Sequence, residues 1–321
     1  MYKVIMVPTE GSDRERAAIS VAVKLAKRFD AELRLVRVEA TPLIIETMVQ
    51  TPVLTPERTL LDERLVRLRK LEALGTECRV LGDVRVVTAL EDGPVAATLR
   101  DHAREFNVDL IVMSSHSRGG VKRIALGSVT DYLIRNTHTP VLVVKPPASF
   151  ISSTPVEPVS RIVVPLDGSA LAEQILPEVA VLALRLNSTV SLLQVLAPLN
   201  YSQREIMQPG LPWWDDDIAA ADAYLTCAAS YLTEKGLAVS KDVVLSDDIA
   251  TAILDYSART KADLIALATS GSGGMNRFVF GTIADEITRK STSSLFIFHP
   301  KRPGVIVSAG ERSDAETVAG V

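Results

Sequence analysis

This 321-residue sequence predicts an α/β fold made of two tandem copies, each a doubly wound five-stranded parallel sheet. Three observations predict it. First, the chain repeats itself: Val7–Ser12 reads Val-Pro-Thr-Glu-Gly-Ser, and Val164–Ser169 reads Val-Pro-Leu-Asp-Gly-Ser. Second, a later landmark also recurs. Ser117 is followed after nine residues by Gly127-Ser128, and Gly271 after nine residues by Gly281-Thr282. The Pro8-to-Gly127 and Pro165-to-Gly281 intervals differ by three residues, as a duplicated unit with one altered loop would. Third, short β-branched runs alternate with amphipathic stretches. That alternation gives parallel strands joined by right-handed crossovers, with helices on both faces.

The elements follow in order. Lys3–Val7 is an apolar run ended by Pro8 and Gly11, and reads as a buried strand. Ser12 and Asp13 are placed to cap the next helix. Its apolar face carries Ala17, Ile19, Val21, Val23, Leu25 and Ala26, and its wet face Arg14, Arg16, Lys24 and Lys27. Glu32–Val38 is a second strand, followed by a loop with Pro42, Pro52 and Pro56 as breakers. Leu61, Leu65, Leu68, Leu71, Leu74, Cys78 and Leu81 recur every three or four residues, so a long helix ends at Gly82. Gly75 sits inside it at a cost of about 1 kcal/mol. Strands at Val84–Ala89, Asp109–Ser114 and Pro140–Lys145 alternate with helices at Gly93–Phe106 and Ser128–Thr137.

The second half repeats the series. Its strands are Arg161–Pro165, Thr189–Leu196, Lys241–Leu245, Asp263–Ala268 and Ser294–Phe298; its helices are Ala170–Leu186, Asp217–Lys235, Ile249–Thr260 and Thr282–Lys290. Residues 1–147 and 160–301 form the two domains, 148–159 a linker rich in Pro and Ser, and 302–321 a loose polar tail.

Composition narrows the function. A net charge of −4 argues against nucleic-acid binding by bulk electrostatics. No apolar run reaches the roughly 20 residues that cross a bilayer, and the N-terminus lacks a signal peptide's pattern. Cys78 and Cys227 have neither disulfide nor metal spacing, so the expected compartment is a reducing cytoplasm. No Ser–His–Asp or Cys–His arrangement emerges. His102 is expected on the polar side of its helix, and His138 and His299 at the surface or in packing; His116 lies beside a candidate ligand loop. Trp213 and Trp214 are expected to cover the apolar sheet edge, and Asp215–Asp217 suits a helix N-terminus.

Two signals carry chemistry. Open parallel sheets bind ligands beyond the carboxyl ends of their strands, where strand order switches. Asp167 emerges there, after Pro165, able to accept from a ribose hydroxyl or an adenine amine; with Ser169 it can equally cap the turn and helix. The fourth strand of the second half runs into Thr269-Ser270-Gly271-Ser272-Gly273-Gly274, and a helix opens at Gly281-Thr282. Glycines, hydroxyls and helix N-terminal amides suit a phosphate group, although no Walker lysine follows. Read alone, the stretch is equally a flexible connection.

Together these motifs resemble the universal stress protein family, over nearly the whole chain and twice. The resemblance implies the adenine nucleotide alpha hydrolase-like fold, and halves packed as a pseudo-dimer through their fifth strands. Family members carrying Gly, two residues, Gly, nine residues, Gly-Ser/Thr bind ATP. The second copy matches with Ala268, Gly271, Gly281 and Thr282, Ala268 replacing the first glycine. By resemblance Pro165 and Asp167 meet the nucleoside, Val195 the adenine, and Ser272 to Thr282 the phosphates. The first copy departs further. It has Glu10 for the aspartate, Val38 at the adenine position, Ser114 and Ser117 for glycines, and only Gly127-Ser128 intact. The resemblance therefore implies a weak or silent first site, where Arg118, Lys122 and Arg123 could pair with phosphate or form a solvated loop.

The implied function is a stress-response regulator binding ATP or another adenine nucleotide, with which Mg²⁺ can arrive, and an unidentified protein partner. A slow ATPase or phosphotransferase, and an interaction module without nucleotide, are the competing readings. No catalytic residue or resident metal is assigned. Association of whole chains into a homodimer is left open.

Overall fold

The computed structural model describes residues 2–12, 15–40, 56–115, 126–145, 159–197, 215–269 and 281–300. In the first half the strands are β1 (Val4–Pro8), β2 (Glu32–Glu39), β3 (Val86–Asp92), β4 (Leu110–Ser114) and β5 (Val141–Val144). The helices between them are α1 (Arg16–Phe29), α2 (Pro56–Gly82), α3 (Val95–Glu105) and α4 (Ser128–Asn136). The second half has β6 (Arg161–Pro165), β7 (Thr189–Leu196), β8 (Val239–Leu245), β9 (Leu264–Ala268) and β10 (Ser294–Phe298). Its helices are α5 (Ala170–Glu173), α6 (Leu176–Leu186), α7 (Asp215–Thr233), α8 (Ile249–Arg259) and α9 (Thr282–Lys290).

The strand order is β3-β2-β1-β4-β5-β10-β9-β6-β7-β8. Each half is the doubly wound parallel sheet expected from the sequence. Its strand order reverses between the first and fourth strands, β1/β4 and β6/β9. The halves are fused edge to edge: β5 and β10 pair antiparallel, with Leu142 opposite Phe296. The fifth strands are short and, apart from Ser294, apolar, and they remove two exposed edges by covering each other. Both helical layers therefore pack on one continuous sheet. One core gathers Leu25, Phe29, Leu71, Leu182 and Leu225; the other gathers Leu99, Leu133, Ile253 and Ile287.

Four local expectations are corrected. Pro56 opens α2 rather than breaking the chain, since a first-turn residue needs no amide partner. Pro42 and Pro52 lie outside the described residues. The helix expected over Ala170–Leu186 is split at Gln174-Ile175, because Pro177 in the first turn of α6 cannot donate to the preceding turn. Helix α1 starts after Glu15 without a side-chain cap, so Ser12 does not cap it; Asp13 lies outside the described residues. His102 is buried, not on a wet face. Its Nδ1 lies 3.0 Å from Glu91 Oε1 and its Nε2 3.3 Å from Arg34 Nη1, and its ring tilts against Phe106. Burial, more than any other influence, lowers its pKa.

Gly75, the residue out of place in α2, has a packing reason. A Cβ there would stand 2.8 Å from Thr88 Cγ2, so glycine lets β3 approach the helix. His299 does not border an edge strand, because β10 lies at the middle of the sheet; the residue is 2% exposed.

Candidate functional site

In the second half β6 ends at Pro165, and the chain turns through Leu166-Asp167-Gly168-Ser169. Gly168 has φ +82°, as its counterpart Gly11 has +79°, the left-handed region that favours glycine. Asp167 is exposed and accepts from the Ser169 amide at 2.9 Å; Ser169 Oγ in turn accepts from Ala172 N at 3.1 Å and caps α5. The capping role read from sequence is thus real, and it uses one oxygen of Asp167. The Tyr224 phenol neighbours this turn. Burial and then the Glu173 and Asp167 carboxylates push it well above its usual value.

One strand away, β9 ends at the half-buried Ala268, and Thr269 N donates to Phe298 O. Helix α9 begins at Thr282 with Gly281 as its N-cap, and no side chain among the described residues caps it. Its first-turn amides therefore open toward the carboxyl edge of the sheet. Because β6 and β9 are parallel neighbours, Asp167 and Gly281 follow the same edge of one sheet at its switch point. Val195, near the end of β7, is half-buried and packs into the core on the α8 side. A hollow of about 280 Å³ lies between the starts of α8 and α9, lined by Asp247, Asp248, Ile249, Ala250, Thr282, Ile283 and Glu286. Asp248 is already committed. It takes the Thr251 amide at 2.9 Å and hydroxyl at 2.7 Å, and these bonds hold its carboxyl below the usual range. Gly271 and Ser272 lie outside the described residues.

The first half has a more enclosed crevice at the same place, about 370 Å³, between the ends of β1, β2 and β4 and the starts of α3 and α4. Glu10, Val38, Gly127 and Ser128 all line it, so the structure brings these four predicted positions together. Gly127 is the N-cap of α4, again without a side-chain cap among the described residues. A residue that sequence reading missed dominates its floor. Glu15, 3% exposed, accepts from Thr9 Oγ1 at 2.6 Å, from Glu10 N at 3.0 Å and from Gly11 N at 3.2 Å. The signal was available: the position five residues after Glu10 is Glu15, whereas five after Asp167 stands Ala172. His116, Ser117, Arg118, Lys122 and Arg123 lie outside the described residues, as do Trp213 and Trp214.

A two-copy, doubly wound α/β protein, with a crevice at the first switch point and a hollow beside the start of α9 in the second half, is what this fold and these sites define. The model of the Universal stress protein family matches residues 1–145 and 158–299. The chain therefore belongs to the universal stress protein family, as a tandem member. It is 33% identical over 147 residues to universal stress protein MJ0531 of Methanocaldococcus jannaschii, which spans 46% of this chain and 84% of that one. It is 31% identical over 150 residues to universal stress protein YxiE of Bacillus subtilis, spanning 45% of this chain and all of that one. Among solved structures, a universal stress protein from Archaeoglobus fulgidus superposes with a TM-score of 0.67 at 16% identity, over 92% of this chain and 98% of that one. A Pseudomonas aeruginosa structure described as a putative universal stress protein gives 0.62 at 15% identity, over 93% and 94%. These two are likenesses of fold.

Proposed function

We propose that this protein is a universal stress-type regulator that binds ATP or a related adenine nucleotide in its second half. The observation carrying this is the shared edge of Asp167 and the uncapped start of α9, either side of the β6/β9 switch point. A carboxylate acceptor suits a ribose or an amine, while α9's free amides and positive dipole end suit phosphate. Pro165 and Val195 would flank the base, and Ala268, Gly271, Ser272, Gly281 and Thr282 the phosphates.

The residues present fit this group with one condition. Asp247, Asp248 and Glu286 at the mouth of the hollow would repel a bare triphosphate. A Mg²⁺ ion carried by the nucleotide offsets that charge, so binding should strengthen with Mg²⁺. Nucleotide held only by the folded loop arrangement stabilises the fold by mass action, about 2.7 kcal/mol at a hundredfold excess over Kd. That linkage is the regulatory output.

The test is thermal melting. Millimolar Mg·ATP should raise the midpoint by a few degrees. Gly281→Val should erase the rise; its φ of −59° and ψ of 150° admit a side chain, so the fold is kept, at a cost of about 0.5–1 kcal/mol for the poorer N-cap. An unmoved wild-type midpoint overturns the reading.

A further inference from the structure

We propose that the groove between α1 and α2 is a ligand site of its own, for a carboxylate carried on an alkyl chain. The groove lies on the α1–α2 face of the sheet, whereas the crevice under α3 and α4 and the hollow beside α9 lie on the other face. The inference therefore does not rest on the nucleotide reading.

The groove holds about 820 Å³, within the range of small-molecule sites. Its floor is apolar: Ile19 and Leu71 are buried and Leu74 is half-buried. On its rim Val66 is 48% exposed. One turn further along α2 stands Lys70, exposed and without a hydrogen bond or ion pair among the described residues. Positions i and i+4 share one helix face, so an uncovered apolar side chain and an unspent cation stand side by side. Arg37 also lines the groove. It donates to the Glu10 carbonyl at 2.6 Å, a neutral partner that leaves its charge standing. Glu39 is 3.9 Å from it and is bonded more closely by Arg67, at 3.3 Å. The other acids of the groove do not cancel this pair of cations. Glu77 is held by Arg16 at 2.9 Å and Glu63 by Arg67 at 2.7 Å. Asp62 precedes Lys70 by two helical turns, about 12 Å along α2, and Glu10 sits at the lip shared with the crevice. Arg37 and Lys70 thus keep donors for a carboxylate, while the floor and Val66 offer apolar surface to its chain.

The second copy shows that these cations are not a need of the fold. Gln194 occupies the position of Arg37: a Cβ on Gly168 would stand 3.7 Å from Gln194 Nε2, as one on Gly11 would stand 3.6 Å from Arg37 Nη1. Leu71–Cys78 and Ala221–Ala228 share one succession of buried and exposed residues, which aligns Lys70 with Ala220 and Arg67 with Asp217. Counted from the same turn glycines, Arg16 aligns with Glu173. Basic residues at four positions of the first half are therefore neutral or acidic in the second.

The experiment follows the Ile19 methyl, assigned through Ile19→Val, by NMR in full-length protein labelled with ¹³C at isoleucine methyls. Octanoate, octanol and octylammonium are the probes, alike in chain and different in head group. Octanoate should shift the Ile19 resonance with an apparent Kd at least about tenfold tighter than either of the others. Lys70→Ala, at an exposed position, should weaken octanoate by about fivefold or more with the melting temperature unchanged. Ala73→Trp, exposed on the groove wall, should abolish the shift with the circular dichroism unchanged. Octanol or octylammonium binding as tightly as octanoate overturns the proposal. So does octanoate binding that Lys70→Ala leaves untouched, or an Ile19 signal that none of the probes moves at millimolar concentration. Ile19 lines neither the crevice nor the hollow, so none of these results bears on nucleotide binding.

Discussion

At the scale of single residues, the informative differences lie between equivalent positions of the two copies. Lys145 and His299 each follow the fifth strand of their half, and both are buried. Lys145 Nζ crosses the seam and donates to Thr288 O at 3.0 Å and Ser291 O at 2.6 Å, carbonyls at the end of α9. Burial pulls its pKa down to about 8. His299 shares a 2.6 Å hydrogen bond between Nδ1 and Thr269 Oγ1, and burial, first among its causes, lowers its pKa to about 4. The folded state thus keeps His299 neutral where the unfolded chain, titrating near 6.5, takes a proton. That stability is present above pH 6.5 and is lost as pH falls toward 4. Over that window the loss from this residue reaches about 3 kcal/mol at most. Urea unfolding at pH 7, 5.5 and 4.5 should show wild type losing more stability than His299→Gln. Parallel pH profiles would contradict it.

At the scale of elements, the seam is the feature that decides the architecture. Phe296 is fully buried opposite Leu142, and truncating a buried phenylalanine costs about 3–5 kcal/mol. The ion pair across the seam, Arg135 to Asp285 at 2.7 Å, is about a third exposed on both sides. Such pairs are worth about 0–1 kcal/mol. Apolar pairing therefore outweighs charge here. Phe296→Ala should lower the urea midpoint several times more than Arg135→Ala; comparable shifts would assign the seam to its ion pairs.

The same scale shows what was legible in sequence. Strand and helix identities were readable because period-2 and period-3.6 patterns record which faces are buried. The break inside Ala170–Leu186 was overlooked although Pro177 announces it. The tolerance of Gly75 was not readable at all, since it depends on Thr88 across a tertiary contact. The placing of Asp167, Gly281, Glu10 and Gly127 at the carboxyl edge of the sheet was legible because turn and helix-start chemistry is local. Glu15 was missed because its role arises only when the β1–α1 loop folds back onto its carboxylate.

At the scale of the whole molecule, duplication has produced one ten-stranded sheet with openings in both halves and different chemistry in each. In the second copy the hollow beside the start of α9 is lined by Asp247, Asp248 and Glu286, and the exposed Asp167 stands outside its lining. The first offers an enclosed apolar slot with a buried carboxylate. Fusion in one chain fixes these unlike sites at a constant separation, as association of identical subunits could not. A ligand bound in one half would stabilise the shared sheet, and its occupancy would then be felt as stability of the other half.

Native mass spectrometry of the full chain with Mg·ATP tests the central claim most directly. The account predicts one nucleotide per chain, lost on Gly281→Val and retained on Val95→Phe, which narrows the first-half crevice. A chain that carries none, or one whose single nucleotide survives Gly281→Val and disappears with Val95→Phe, would contradict it.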